Sequence, residues 1–242
     1  MNTPISVLLK KLIARKDLTE DEAFDAIHGM LSGEFTEGQI GAFLGALSAK
    51  GETIDEIAGA ARAMRAAATR LQSLAPDTLD TVGTGGDGGM TFNVSTTVAF
   101  VAAGAGAVVA KHGNRASSGK SGSADCLECL GFNLAAAPEI MEQALNEIGI
   151  AFMFAPSFHK AMRFAGPVRK QMGVRTLFNL LGPLTNPAGA PCQLLGVFSP
   201  ELTETFAEVL KKLGSRRVLV VHGHDGMDEI TLTTTSRCSE LK

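Results

Sequence analysis

Four short stretches of the sequence carry residue types and spacings able to do chemistry. In the first, Gly83-Thr84-Gly85-Gly86-Asp87-Gly88-Gly89, five glycines surround one aspartate. Glycine at that density lets the backbone come close to a partner, which a merely flexible turn does not need. The stretch satisfies G-x-G-x-x-G. A dinucleotide fingerprint, however, also needs a helix opening at the loop and an acidic residue about 20 positions on. Here the helical pattern starts only near Asn93, and no acid stands around Ala103. Asp87 would moreover face a pyrophosphate, a repulsion that only a metal or another cation removes.

The second stretch, Asn93-Val94-Ser95-Thr96, puts small polar residues at a helix start. Free N–H groups, hydroxyls and the helix dipole favour an anion there. Capping alone accounts for Asn93 and Ser95 but does not require Thr96. The third runs Lys111-His112-Gly113-Asn114-Arg115 and on through Ala116-Ser117-Ser118-Gly119-Lys120-Ser121-Gly122-Ser123. Three cations, four serines and three glycines in one loop make a cradle for phosphate oxygens. The G-x-x-x-x-G-K-[ST] spacing is absent, so this is not a Walker A loop.

The fourth is Asp228-Glu229, just past the turn His222-Gly223-His224-Asp225-Gly226. Adjacent carboxylates without a nearby cation suit magnesium, which takes few protein ligands and keeps waters and substrate phosphates; a solvated acidic turn is the plain alternative. His222 and His224 lack a third ligand at usable spacing and read as surface residues. Cys126 and Cys129 form a C-x-x-C, but Cys192 and Cys238 supply no second pair, so buried free thiols on a helix are expected.

Two patterns must position these stretches. Up to residue 72 the sequence is helical, with capping boxes at Thr19/Glu22, Thr36/Gln39 and Thr53/Glu56, each leading an apolar stripe. Gly38, Gly41, Gly45 and Gly59 would let helices approach closely, within one chain or between two. After Pro76 strands and helices alternate. Strands are expected over 79–82, 108–111, 150–154, 194–198 and 218–221, with helices over 93–103, 123–130, 138–148 and 201–213 and a broken one over 158–181. That alternation predicts an α/β domain on a mainly parallel sheet, with the chemistry-bearing loops after strand ends.

Composition narrows the classes. The 242 residues are 45% hydrophobic and 19% charged, an ordinary globular balance that excludes disorder and collagen. The longest apolar run, 98–110, falls short of the ~20 residues of a membrane helix. Residues 1–15 are broken by Lys10 and Lys11 and show no cleavage site, so no signal peptide is expected. A net charge of -3 and the absence of Trp and Tyr argue against a nucleic-acid or membrane partner. Arg163, Arg169, Lys170 and Arg175 form a local basic cluster. Few cysteines and no disulfide framework fit a reducing, cytoplasmic setting.

Taken in order, Gly83 to Asp87, Asn93 to Thr96, Lys111 to Arg115 and Asp228-Glu229 resemble the anthranilate phosphoribosyltransferase family in sequence and spacing. So do Gly173-Val174-Arg175-Thr176-Leu177-Phe178-Asn179, Leu181-Gly182-Pro183-Leu184-Thr185-Asn186-Pro187 and Gly38-Gln39-Ile40-Gly41-Ala42-Phe43. The resemblance implies a small helical domain, 1–72, and a larger α/β domain, 73–242, of the nucleoside phosphorylase/phosphoribosyltransferase kind. The 158–185 region could pack on the helical domain. The C-terminal part of the α/β domain is expected to be missing, since relatives continue past Asp228-Glu229 and the polar stretch up to Lys242 ends no evident element.

The implied reaction transfers the phosphoribosyl group of phosphoribosyl pyrophosphate (PRPP) to the amine of anthranilate, in tryptophan biosynthesis, with magnesium and in a homodimer joined through the helical domain. By position, PRPP would be held by Gly83, Gly86, Asp87, Thr91, Asn93, Val94, Ser95, Thr96, Lys111, His112, Gly113, Asn114, Arg115, Ala116, Ser117, Ser118, Gly119 and Ser123. Ser95, Asp228 and Glu229 would engage magnesium. Anthranilate would lie near Gly83, Asn114, His159, Arg169 and Pro183, with Arg169 facing its carboxylate. Lys111, Asp87 and Arg169 are the implied catalytic groups, and His112 is a candidate base. Asp87 beside a phosphate becomes sensible once a metal or ribose hydroxyls are present. A pyrimidine nucleoside phosphorylase-like enzyme would lack the Lys111 to Arg115 segment; a nucleic-acid-binding relative would have lost these motifs and carry a basic surface.

Overall fold

The computed structural model describes residues 3–71, 75–85, 92–116 and 121–242. The chain divides into two units, Met1–Ala68 with His159–Thr185, and Thr69–Phe158 with Asn186–Lys242. In the first unit, α1 (Ile5–Ile13), α2 (Glu20–Leu31), α3 (Glu37–Lys50) and α4 (Ile54–Ala67) bury Leu8, Ile27, Met30, Phe43, Leu44 and Ile57. The last three helices open with the capping boxes that the sequence predicts. Glu56 does more than cap: fully buried, it also accepts the Leu18 N–H at 2.9 Å and the Lys50 ammonium at 3.0 Å. Small residues serve packing within the chain. A Cβ on Gly59 would strike the Glu20 carbonyl of α2, while one on Gly41 would meet Val168 at 3.6 Å in the helix Gly166–Met172.

In the second unit the described residues form a six-stranded sheet, ordered β3-β2-β1-β4-β5-β6. The strands β1 (Leu79–Gly83), β2 (Val109–Gly113), β3 (Ile150–Phe154), β4 (Cys192–Gly196) and β5 (Arg217–Gly223) run parallel. Helix α5 (Val94–Gly104) links β1 to β2, while α6 (Ser123–Cys129) and α7 (Pro138–Glu147) link β2 to β3. The helix Leu202–Lys212 joins β4 to β5. Parallel strands covered on their faces explain the near-continuous apolar runs at Val109-Ala110 and Ala151-Phe152-Met153.

Three expectations need correction. The polar tail does end in an element: β6 (Ser236–Leu241) pairs antiparallel with β5, from Val218↔Leu241 to Gly223↔Ser236. As a largely exposed edge strand it lacks the apolar signature of the others. Asn93 stands at the N-cap of α5 but its side chain makes no cap hydrogen bond. Of the C-x-x-C pair, Cys126 is only half-buried and Cys129 exposed, both free. No helix among the described residues is long and apolar enough to cross a membrane.

The chain runs outward from β1 to β3, then returns to the opposite side of β1 for β4. Open α/β sheets bind ligands at such a reversal, beyond the carboxyl ends of the strands. Because α5 opens only at Val94, well past Gly83, the dinucleotide arrangement is not built here.

Candidate active site

Among the described residues, four of the five parallel strands end in glycine: Gly83, Gly113, Gly196 and Gly223. In each case the space a Cβ would need is already taken. At Gly83 it would lie 2.7 Å from Asp228 Oδ2, at Gly113 2.7 Å from the Phe152 ring, and at Gly223 2.6 Å from Asp225 Oδ1. At Gly196 it would clash with the Asp228 carbonyl oxygen. The Asp228-Glu229 turn is therefore seated on the ends of β1 and β4. Its register is fixed further by the Gly85 N–H, which donates to Asp228 Oδ2 at 2.8 Å. Asp228 is buried and Glu229 half-buried, so this is no solvated acidic turn. Nor is His222 a surface residue: it is buried on β5, with Nδ1 2.8 Å from the Val197 carbonyl oxygen.

Lys111, on β2, is only 3% exposed. Its ammonium donates to the Thr81 carbonyl of β1 and, at 3.1 Å, to Ser95 Oγ in the first turn of α5. Burial pushes its pKa down to about 8, against the opposing pull of Asp80 and Glu229. Glu229 thus lies within electrostatic range of a cation, brought from β2 by the sheet. Asp80 lies fully buried, accepting the His112 N–H at 3.1 Å and Gln193 Nε2 at 3.3 Å; burial pushes its carboxyl up, with Lys111 opposing. Asn186 donates to the Ala110 carbonyl at 2.8 Å, tying the end of the Leu181 to Pro187 motif to β2. Asp80, Gln193 and Gly196 were not singled out from sequence, and Asn186 only as part of the Leu181 to Pro187 motif. The available signal was an acid and an amide inside apolar strand patterns, where burial demands partners.

The phosphate-type loop is built on the same edge. Ser95 and Asn93 are half-buried at the start of α5, but Thr96 turns inward: buried, it lines an apolar cavity with Ala99 and Phe152. Asn114, Arg115 and Ala116 are exposed, whereas the imidazole of His112, the candidate base, is enclosed in the protein. Ser123 Oγ donates to the Asn114 carbonyl at 3.2 Å. Arg115 engages Asp125 and Glu128 of α6. Gly86, Asp87, Thr91, Ser117, Ser118 and Gly119 lie outside the described residues.

The residues implied for anthranilate divide between the units, Gly83 and Asn114 on the sheet and His159, Arg169 and Pro183 on the helical one. Arg169 is half-buried, its guanidinium 5.2 Å from the Phe178 ring centroid, and desolvation lowers its pKa. No carboxylate among the described residues pairs with it. His159 is buried and its pKa falls to about 4 through desolvation, with a Thr185 backbone hydrogen bond opposing. Pro183 is buried.

Among the described residues no cluster of three or more His, Cys, Asp or Glu could hold a metal by itself. The donors at hand, Asp228, Glu229 and the Ser95 hydroxyl, are all oxygen. They fit a hard ion that fills its shell with water and substrate oxygens.

Residues 75–242 match the glycosyl transferase family a/b domain, and residues 6–68 the glycosyl transferase family helical bundle domain. Helical unit and sheet are those of that class. The anthranilate phosphoribosyltransferase of Desulfosudis oleivorans is 60% identical over 236 residues, 98% of this chain and 70% of that one. The crystal structure of the Thermus thermophilus anthranilate phosphoribosyltransferase is 51% identical with a TM-score of 0.91, covering 96% of this chain and 70% of that one. That of Saccharomyces cerevisiae, in complex with PRPP and Mg, is 31% identical with a TM-score of 0.89, covering 98% and 72%. The chain belongs to the anthranilate phosphoribosyltransferase family.

Proposed function

We infer that the chain transfers the 5-phosphoribosyl group of PRPP to the amine of anthranilate, giving N-(5-phosphoribosyl)anthranilate and pyrophosphate, in tryptophan biosynthesis. The observation that carries this reading is the buried Lys111 ammonium, aimed by the Thr81 carbonyl and Ser95 Oγ and electrostatically coupled to Glu229 at one edge of a parallel sheet. Loss of pyrophosphate from ribose C1 builds negative charge on the leaving group and oxocarbenium-like charge on the sugar. A fixed cation in a low-dielectric site stabilises the former without reorganising at the moment of reaction. Ser95, Asp228 and Glu229 would hold magnesium, which would supply further charge neutralisation at the phosphate oxygens.

The remaining roles follow from the chemistry of each group. By the resemblance, Gly83, Asn93, Val94, Ser95, the stretch from Lys111 to Ala116 and Ser123 line the PRPP site, together with Gly86, Asp87, Thr91, Ser117, Ser118 and Gly119; within it the His112 and Ala116 N–H groups hold the loop's shape through Asp80 and Asp125. Thr96 holds the α5 turn from inside. Arg169, desolvated and without a carboxylate partner among the described residues, supplies a planar fork for the anthranilate carboxylate. His159 stays neutral at working pH and, with Gly83, Asn114 and Pro183, completes the implied acceptor set. The reading extends to a cytoplasmic homodimer joined through the helical unit; Val7 and Ile13 of α1 are exposed there, and light scattering on the purified chain tests it. The activity is tested by anthranilate fluorescence. Its loss should require PRPP and magnesium together, and a folded sample that leaves it constant overturns the reading.

A further inference from the structure

The two described arms of the phosphate-type loop are tied together at its neck by one side chain. Asp125 Oδ2 accepts the Ala116 N–H at 3.0 Å and the Gly122 N–H at 2.8 Å, one from each arm of the loop. Its other oxygen accepts from Arg115 Nη1 at 2.9 Å. Glu128, one turn further along α6, takes the same guanidinium through both nitrogens, Nη1 at 2.8 Å and Nη2 at 2.9 Å. The Arg115 guanidinium also sits 5.8 Å from the Phe154 ring centroid. The two arms touch elsewhere: the Ala124 N–H donates to the Asn114 carbonyl at 3.2 Å, and a Cβ on Gly122 would lie 2.6 Å from the Arg115 carbonyl carbon. Backbone N–H groups and Arg115 hold the Asp125 carboxyl below the usual carboxylate range, and Arg115 does the same for Glu128.

From this geometry we propose that Asp125 is a positioning residue for PRPP, clamping the neck of the Lys111 to Ser123 loop, and that Arg115 is a strut in the clamp rather than a phosphate ligand. The proposal rests on the PRPP reading above. A guanidinium forked onto Glu128, bonded to Asp125 and set beside Phe154 has three of its five N–H donors on carboxylates, so its charge is compensated within the loop. The gain lies in preorganisation: the neck residues Ala116 and Gly122 need no ordering when the phosphates arrive.

The two roles of Arg115 predict opposite results when Glu128 is neutralised. If Arg115 were a phosphate ligand held back by Glu128, Glu128→Gln would lower the KM for PRPP. As a strut, Glu128→Gln and Arg115→Ala should each raise that KM about threefold to tenfold, and the double variant should be no worse than the poorer single one. Asp125→Asn should raise the KM for PRPP at least about tenfold with kcat within about threefold, since a defect confined to the neck leaves the loaded site intact. A purely structural loss would instead lower kcat and the melting temperature. Amide exchange at Ala116 and Gly122, measured without PRPP, should speed up at least about tenfold in Asp125→Asn. This arm separates the clamp from the function, because it reads the neck even in a protein that turns nothing over. Unchanged exchange at both amides, additive costs in the double variant, or tighter PRPP binding by Glu128→Gln would each overturn the proposal.

Discussion

Replacing Gly196 by alanine should displace the acid pair while leaving the sheet folded. The added Cβ would clash with the Asp228 carbonyl oxygen and lie 2.6 Å from its carbonyl carbon. Real Cβ atoms essentially never approach within 3.0 Å, so the carbonyl must retreat by about 1 Å or more. Strand β4 cannot yield instead, because Gly196 is paired on both sides, with Gly83 of β1 and Val221 of β5. The turn therefore moves and takes the Asp228 and Glu229 carboxylates with it. A misplacement of about 1 Å at a reacting centre can cost about 100-fold. We expect kcat/KM for PRPP to fall by about that factor, from initial rates of anthranilate fluorescence loss at fixed magnesium. Overpacking should cost about 1–3 kcal/mol of stability, visible in urea unfolding. Gly104→Ala is the control: its Cβ meets nothing within 4 Å at the end of α5, and its rates should match those of the parent. A Gly196→Ala protein within about threefold of the parent in kcat/KM would refute the claim that this glycine seats the acid pair.

Other expectations follow from the same site. Asp228→Asn combined with Glu229→Gln should raise the magnesium concentration for half-maximal rate at least about tenfold; an unchanged magnesium curve removes these residues from the metal site. Arg169→Lys should raise the KM for anthranilate about tenfold, some 1.4 kcal/mol, without moving that for PRPP, and steady-state kinetics reporting equal values would show that no bidentate contact is lost. His159 titrates near 4 in the folded chain against an ordinary 6.5. Between those values the unfolded chain takes up a proton that the folded chain refuses. Its contribution to stability is thus full above pH 6.5 and lost as the pH falls toward 4, about 3 kcal/mol in all. His159→Gln should flatten that span of the curve of unfolding free energy against pH, and a slope equal to the parent's would place the acid sensitivity elsewhere.

What the sequence discloses depends on how far apart the interacting residues stand. The capping boxes at Thr19, Thr36 and Thr53 close within three residues and are read directly. The strand Ile150–Phe154 is an apolar run bounded by Gly149 and the proline-bearing short helix Ala155–Phe158, and its limits are legible for the same reason. Strand β6 is not, because an edge strand with one partner carries no buried face to impose a period. At the site, the polar loops are conspicuous as loops. The cation that acts on Glu229 is hidden, since only the folded sheet brings Lys111 within electrostatic range of it. Gly196 reads as the end of an apolar run until the returning turn shows what a side chain would displace. Arg115 illustrates the converse: its type suggests a phosphate ligand, and only the fold reveals Asp125 and Glu128 around it.

The central claim is that Lys111, Ser95 and the Asp228-Glu229 pair activate PRPP for attack by the anthranilate amine. Phosphorus NMR of the protein mixed with PRPP, anthranilate and magnesium tests it most directly. The account predicts disappearance of the PRPP diphosphate signals, an equimolar rise of free pyrophosphate, and one new phosphate monoester whose sugar is bonded through C1 to the amine. PRPP left intact beside a folded protein, or pyrophosphate released with no anthranilate consumed, would contradict it.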